Sequence, residues 1–307
     1  MEEEKEISVV IPVYNSGSCI KQLVKQIYEL LNSQEHTFEI ILVDDASKDD
    51  SWSIIKEICI QLKHVKAFSL SKNFGQHKAT LCGFCNANGR YIITIDDDLE
   101  HQPNDILKLY SQLKDSQSDV VYAIPRNIRK SFFRTLATKL YKFISKVENP
   151  YAGVGSSFRA LKKDLVSKIV THQNHLFFID ELILWYTASI DICPLDFYPS
   201  QKKNSGYSFL KLFSLSSDVL MISTTMPLKL VKTIGLSMSS VSFFIGAFYL
   251  FKKIVHKTPV AGYTSIIVSI LFSAGLILLC IGIIGEYLGN VLMMQNNKPA
   301  FYIKEKI

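Results

Sequence analysis

Residues 91–100 read Tyr91-Ile92-Ile93-Thr94-Ile95-Asp96-Asp97-Asp98-Leu99-Glu100. An apolar, β-forming run stops at three aspartates, so a buried strand delivers acid to its own C-terminal end. In an open α/β sheet that end is where ligands bind, and clustered carboxylates repel one another unless a cation or a hydrogen-bonded ligand neutralises them. Hard oxygen donors with an open side suit Mg2+ or Mn2+ carrying a substrate diphosphate. The plainer alternative is a solvated acidic turn ahead of a helix that starts near Gln102-Pro103-Asn104-Asp105. The rest of the chain decides between them.

Toward the N-terminus, Ile7 to Val13 is a continuous apolar run ending at Tyr14-Asn15-Ser16-Gly17-Ser18, a strand followed by a turn and helix-capping residues. Ile20 to Leu31 has helical spacing. Glu39 to Val43 is a second buried strand that also ends in acid, at Asp44-Asp45, and Val65–Leu70 and Val120–Ile124 supply two more. Strands alternating with helices predict βαβ units and a mostly parallel sheet with right-handed crossovers. In such a sheet Asp44/Asp45 and Asp96 to Asp98 are expected side by side, one pair for a base or ribose and the other for metal and diphosphate. The turn after the first strand, Pro12-Val13-Tyr14-Asn15-Ser16, is not G-x-G-x-x-G, which excludes the usual dinucleotide fold.

The chain has 307 residues, 48% of them hydrophobic, with a mean hydropathy of +0.17. That apolar excess sits at the C-terminal end. Residues 265–284 (SIIVSILFSAGLILLCIGII) carry no charge over about the length needed to cross a bilayer, and Ile234 to Phe251 form a weaker, serine-containing candidate. The acidic start MEEEKEISVVIPVYN is not a signal peptide. These features predict a multi-pass protein of the inner or plasma membrane with its catalytic domain in the cytoplasm. The expected divisions are a catalytic domain at 1–200, an amphipathic juxtamembrane segment at 201–232, two spans within 233–286 and a tail at 287–307. A net charge of +6 and a pI near 8.8 suit a phosphate-bearing substrate or an acidic surface. The basic residues are dispersed without a recognition motif, so nucleic acid is not the expected partner. Cys82-Gly83-Phe84-Cys85 lacks a second pair and reads as incidental.

Taken in order, SVVIPVYN, EIILVDDASKDDS, LSKNFGQHKATLCGF, GRYIITIDDDLEHQP, SSFRALKKDL, SGYSFLKLF and IGEYLG resemble the family 2 glycosyltransferases that act on polyprenyl phosphates. The Asn73 to His77 segment is most similar to the branch that transfers formamido-arabinose. The resemblance spans nearly the whole chain. It implies a GT-A type α/β fold followed by amphipathic helices and a two-helix transmembrane hairpin. It also implies a UDP- or GDP-linked sugar donor, a polyprenyl (undecaprenyl) phosphate acceptor, Mg2+ or Mn2+, inversion at the anomeric carbon, and a homo-oligomer, a tetramer by analogy.

Residue by residue, the resemblance assigns Pro12, Tyr14 and Asn15 to the nucleotide pocket. Asp44 or Asp45 hydrogen-bonds the base, Asp45 preferred, and Asp97 belongs to the donor side. Asp96 and Asp98 hold the metal against the diphosphate, with Glu100 where the family carries an amide. Arg126, Arg129 and Arg159 meet the acceptor phosphate, and Arg126 joins Asp96 and Asp98 as catalytic. Ser200 and Lys203 stand where the family has an arginine and a glycine, so Lys202 or Lys203 is the expected substitute, a point charge in place of a bidentate fork. Asp180 and Glu181 match an acidic position near the acceptor, or are simply a pair at a helix N-terminus. The competing functions are transfer to another lipid or glycan acceptor, and a catalytically silent nucleotide-binding adaptor.

Overall fold

The computed structural model describes residues 5–126, 156–171, 179–199, 263–295 and 299–307, with scattered helical positions between 233 and 251. The chain divides into two compact units, Met1–Gly206 with Lys298–Ile307, and Tyr207–Asn297.

The first unit is built on one sheet. Its elements in chain order are β1 (Ile7–Val13), α1 (Ile20–Ser33), β2 (Phe38–Asp44), α2 (Ser51–Gln61), β3 (Val65–Leu70), α3 (Gln76–Cys85), β4 (Tyr91–Thr94), α4 (Asp105–Asp115) and β5 (Val120–Pro125). They continue with β6 (Arg159–Lys162), α5 (Lys163–Thr171), α6 (Ile179–Tyr186), β7 (Ile190–Leu195) and, at the end of the chain, β8 (Ile303–Lys306). The spatial order is β7-β5-β6-β4-β1-β2-β3-β8. β1 pairs in parallel with β2 and β4, β2 with β3, and β5 with β7, while β6 and β8 run antiparallel to their neighbours.

All seven residues of β1 are buried because both sheet faces are covered. Its period of two is visible in what each side chain meets. Ile7, Val9, Ile11 and Val13 pack with Ile20, Leu23 and Ile27 of α1 and with Ile55 and Ile106, whereas Val10 faces Ala79, Leu81 and Cys82 of α3. On that second face α3 lies so close that a Cβ on Gly83 would fall 2.2 Å from Val10 Cγ1. This approach brings the N-terminus of α3 beneath the ends of β1 and β4.

β4 and β2 flank β1 on opposite sides, so the two acidic strand ends are separated by the Tyr14–Ser16 turn and do not lie side by side. β8 extends the sheet past β3: Ser71 N–H donates to the Tyr302 carbonyl at 2.9 Å, and Ala67 and Ile307 exchange backbone bonds at 2.9 and 3.0 Å. Glu305 latches it to α2 through Trp52 Nε1 at 3.0 Å and Lys56 Nζ at 2.8 Å.

In the second unit the described helix is α7 (Tyr263–Gln295), 33 residues long. Spanning a bilayer takes about 20 consecutive apolar residues in one helix. Counted over the described residues, no helix is long and apolar enough to cross a membrane. The expected localisation, a multi-pass inner- or plasma-membrane protein with a cytoplasmic catalytic domain, is corrected on that finding. The 201–232 segment lies outside the described residues, and 234–251 lies largely outside them.

Candidate active site

Three strands end at one edge of the sheet, and each end is followed by a residue in the left-handed region: Asn15 (φ 52°) after β1, Ala46 (φ 56°) after β2 and Leu99 (φ 59°) after β4. Such conformations cost about 1–3 kcal/mol each and persist only where surrounding bonds over-determine them. Those bonds are supplied by the acidic residues themselves.

The three consecutive aspartates face different partners. Asp96 accepts from Gln76 Nε2 at 2.6 Å and from the Ser157 hydroxyl. Asp97 is buried and turns to β1, where its Oδ2 accepts the Tyr14 backbone N–H at 2.9 Å and the Ser16 hydroxyl. Asp98 accepts the Glu100 N–H at 3.0 Å, a bond within its own loop. Burial, together with the neighbouring Asp98 and Asp97 charges, pushes the Asp96 carboxyl up to about 6 against the pull of the Ser157 bond. The edge therefore carries more negative charge than its own hydrogen bonds neutralise.

At the other acidic end, Asp44 is buried and accepts from Ser47 N at 3.2 Å and Ser69 Oγ at 3.2 Å. Asp45 receives two backbone amides on separate oxygens, Phe74 N at 2.7 Å and Gly75 N at 2.8 Å. Gly75 sits at φ +92°, which a side chain rarely adopts, and that backbone angle goes with the paired amides meeting Asp45. Burial raises the Asp45 carboxyl despite those bonds. Asn15 links the two ends: its N–H donates to Ser47 Oγ at 2.9 Å and its Oδ1 accepts Lys48 N–H at 2.8 Å.

Beneath Asp96 lies a pocket of about 200 Å3 between α3, the end of β4, the start of β6 and the N-terminus of α6. Arg159, 2% exposed, lines it and is paired with Asp180, which also accepts the Tyr122 hydroxyl at 3.0 Å. His77 lines the same pocket, its pKa lowered by burial first and by the Arg159 charge second. A larger groove of about 630 Å3 lies between α1 and residues 99–104, but none of the strand-end aspartates lines it.

Arg126 follows β5 and is 61% exposed in its side chain, 3.7 Å from the equally exposed Asp196. Arg129, Lys202 and Lys203 lie outside the described residues. His101 is buried, stacked on Phe158 at 4.7 Å and edge-on to Phe197 at 4.4 Å, with its pKa pushed down to about 4 by burial. Sequence reading missed Ser16, Gln76, Ser157 and Tyr122 as partners of the acids. Gln76 and Ser157 stand inside motifs quoted above and Ser16 inside the turn after the first strand, whereas Tyr122 reads only as a strand residue.

A mixed sheet with two acidic strand ends flanking a strained turn is a GT-A-like α/β fold, and the protein is a glycosyltransferase. The chain belongs to glycosyl transferase family 2, whose sequence model matches residues 8–180. It is 29% identical to an undecaprenyl-phosphate 4-deoxy-4-formamido-L-arabinose transferase of Proteus mirabilis, over 100% of this chain and 95% of that protein. It is 30% identical to an SfII prophage-derived bactoprenol glucosyl transferase of Shigella flexneri, over 98% of each. Among solved structures it is similar to glucosyl-3-phosphoglycerate synthase from Mycobacterium tuberculosis, in complex with Mn2+, UDP-glucose and phosphoglyceric acid. That match has a TM-score of 0.52 at 17% identity and covers 71% of this chain and 78% of that one.

Proposed function

We propose that this glycosyltransferase moves one sugar from a UDP- or GDP-linked donor to a polyprenyl phosphate such as undecaprenyl phosphate, with inversion. The observation that carries this reading is end-to-end similarity to two relatives named for transfer to undecaprenyl phosphate or bactoprenol, well beyond the matched 8–180 region.

The acidic edge fits a divalent cation. Among the described residues no three His, Cys, Asp or Glu side chains are grouped to hold one alone. Mg2+ and Mn2+ bound with a diphosphate need only one or two protein carboxylates, the phosphates and water supplying the rest. Asp98 is the first ligand by this reading, because the bond its Oδ1 accepts from the Glu100 N–H is local to its own loop. Asp96 is the second, its present partners being a neutral amide and a hydroxyl. When bound, the cation supplies charge neutralisation for the departing nucleoside diphosphate.

The protein's own part is placement. Pro12, Tyr14 and Asn15 form the wall against which the nucleotide lies, and Asp44 and Asp45 hold the loops on its far side. An acceptor phosphate, a near-dianion at neutral pH with a second pKa of roughly 6, attacks without a strong general base. Exposed Arg126 meets it, with Arg129, Lys202 and Lys203 as further cationic candidates. Arg159 is committed to Asp180 and is left out of that set. Attack opposite the leaving diphosphate inverts the anomeric centre.

The test is transfer of labelled sugar from a panel of UDP- and GDP-sugars to undecaprenyl phosphate in detergent with Mn2+. Label entering the lipid from one donor, and lost in Asp98→Ala, supports the reading. Nucleotide binding without transfer selects the silent adaptor.

A further inference from the structure

β8 holds the molecule at more points than covering a sheet edge requires. The β3–β8 pairing shifts register between Ser69 and Leu70, and bulges of this kind re-aim or end a ladder, often beside active sites. Past that shift the Tyr302 carbonyl accepts the Ser71 N–H at 2.9 Å, one residue beyond the end of β3. Ser71 opens the loop that ends at Phe74 and Gly75, whose amides both go to Asp45. Phe74 and Phe301 lean on one core cluster with Phe68 and Leu70, and Ala300 is buried in it. Ser69, opposite Glu305 in the pairing, donates its hydroxyl to Asp44 at 3.2 Å.

β8 also grips α2. Glu305 accepts the Trp52 Nε1–H at 3.0 Å and pairs with Lys56 at 2.8 Å. Those two residues stand in the first two turns of α2, directly after Ser51, whose hydroxyl accepts the Ser16 N–H at 2.8 Å. Ser51 is wholly buried, so a shift of α2 is passed on to the turn that carries Asn15. β8 therefore reaches three places assigned to the nucleotide: the 14–16 turn through α2, Asp44 through Ser69, and Asp45 through the 71–75 loop. Edge protection accounts for the ladder, but not for a bond beyond the end of β3 or for the hold on α2.

We infer that β8 is a positioning strand for the donor nucleotide, with the Tyr302 carbonyl and Glu305 as its two holds, so that docking of residues 299–307 and binding of a nucleoside diphosphate strengthen each other. The inference rests on the donor side of the proposed reaction, at Asp44 and Asp45, and deepens it. β8 acts through the loops and not on the reacting atoms. The chain reaches β8 only after Tyr207–Asn297, the second unit, so a chain cut at 206 lacks a strand that its donor side uses.

The experiment measures UDP and GDP binding, with Mn2+, to the full chain, to a chain ending at Lys298, and to that shortened chain with a peptide of residues 299–307 added. Shortening is expected to weaken the better-bound nucleotide about tenfold, the upper worth of one hydrogen bond, and saturating peptide to restore it. Linkage then requires the nucleotide to tighten peptide binding by the same factor. Equal peptide affinity with and without nucleotide, or unchanged nucleotide affinity on shortening, overturns the inference. Two full-length variants decide the matter if the shortened chain does not fold. Glu305→Ala is expected to raise the nucleotide Kd and the donor KM about threefold, a lesser loss on the same scale, with kcat unchanged. Glu6→Gln, which loosens a contact with Tyr110 at the other end of the strands, should leave the nucleotide Kd as in wild type. Equal effects of the two variants, or none from Glu305→Ala, overturn the inference. Nucleotide binding that depends on β8, without transfer to undecaprenyl phosphate, upholds the inference and refutes the reaction. A full chain that binds neither nucleotide removes both.

Discussion

Asp97 Oδ2 accepts the Tyr14 backbone N–H at 2.9 Å, tying the middle of the acidic motif to a turn 83 residues earlier in the chain. The same oxygen takes the Ser16 hydroxyl, so one buried carboxylate holds both sides of Asn15 in its left-handed conformation. Asp97→Ala leaves the Tyr14 amide unpaired and is expected to cost about 1–3 kcal/mol of stability. It should also raise the donor KM about tenfold while kcat changes little. Ser16→Ala should act in the same direction and add almost nothing on top of Asp97→Ala, because the two share one interaction. Steady-state kinetics with a double-mutant cycle checks both.

Asp98 accepts the Glu100 N–H inside its own loop. Asp98→Ala is therefore expected to leave the melting temperature within a few degrees of wild type, yet to lower turnover by about a hundredfold or more, the usual scale for a lost electrostatic stabiliser. Thermal unfolding and transfer rates on the same preparation separate these effects.

Two carboxyls carry opposite pH signatures. Asp96, at about 6 in the folded protein against an ordinary 3.8, binds its proton more tightly when folded. Its stabilising contribution is complete below about 3.8 and is lost as pH rises through about 6. Glu6 is held down to about 2 by Tyr110 first, with His36 and Lys114 assisting. Its contribution is complete above about 4.5 and is lost as pH falls toward 2. Asp96→Asn should thus gain stability relative to wild type between pH ~5 and ~7.5, whereas Glu6→Gln should lose it at neutrality and converge on wild type in acid. Denaturant midpoints across pH test both signs. Because the proposed cation site needs Asp96 ionised, donor binding at limiting Mn2+ should fall as pH drops through about 6.

β8 brings Ala300, 2% exposed, and the Ser71–Tyr302 bond to the margin of the sheet. Deleting residues 299–307 opens the β3 edge and is expected to lower the melting temperature by several degrees and to promote self-association, as unpaired edges do. Single substitution of Glu305 should do far less, since its ion pair with Lys56 is partly exposed to solvent. Light scattering with thermal melts distinguishes the two variants.

Of the five strands legible in the sequence, β1 and β2 stand out because burial on both faces writes itself as near-continuous apolar runs, while β3 (VKAFSL) and β4 (YIIT) are shorter and mixed. β6, β7 and β8 were not legible. Arg159–Lys162 and Ile303–Lys306 are short and charged, and Ile190–Leu195 contains Pro194, features that read as loop until neighbouring strands supply the pairing. The acidic ends were visible as residues but not as an arrangement: strand order, which no local pattern encodes, puts β1 between them. For the same reason Arg159 looked like an available cation, while its burial with Asp180 depends on a contact between β6 and α6. The apolar C-terminal stretch gave an expectation of membrane spans that the described helices do not meet.

The central claim is that the acceptor is a lipid phosphate. The most direct test compares undecaprenyl phosphate, undecaprenol and a soluble glycan acceptor at equal concentration, with the best donor and Mn2+, followed by mass analysis of the products. The account predicts a single sugar on undecaprenyl phosphate, through a bond that mild acid cleaves, and nothing on the other two. Sugar on undecaprenol or on the glycan, with undecaprenyl phosphate untouched, would contradict it.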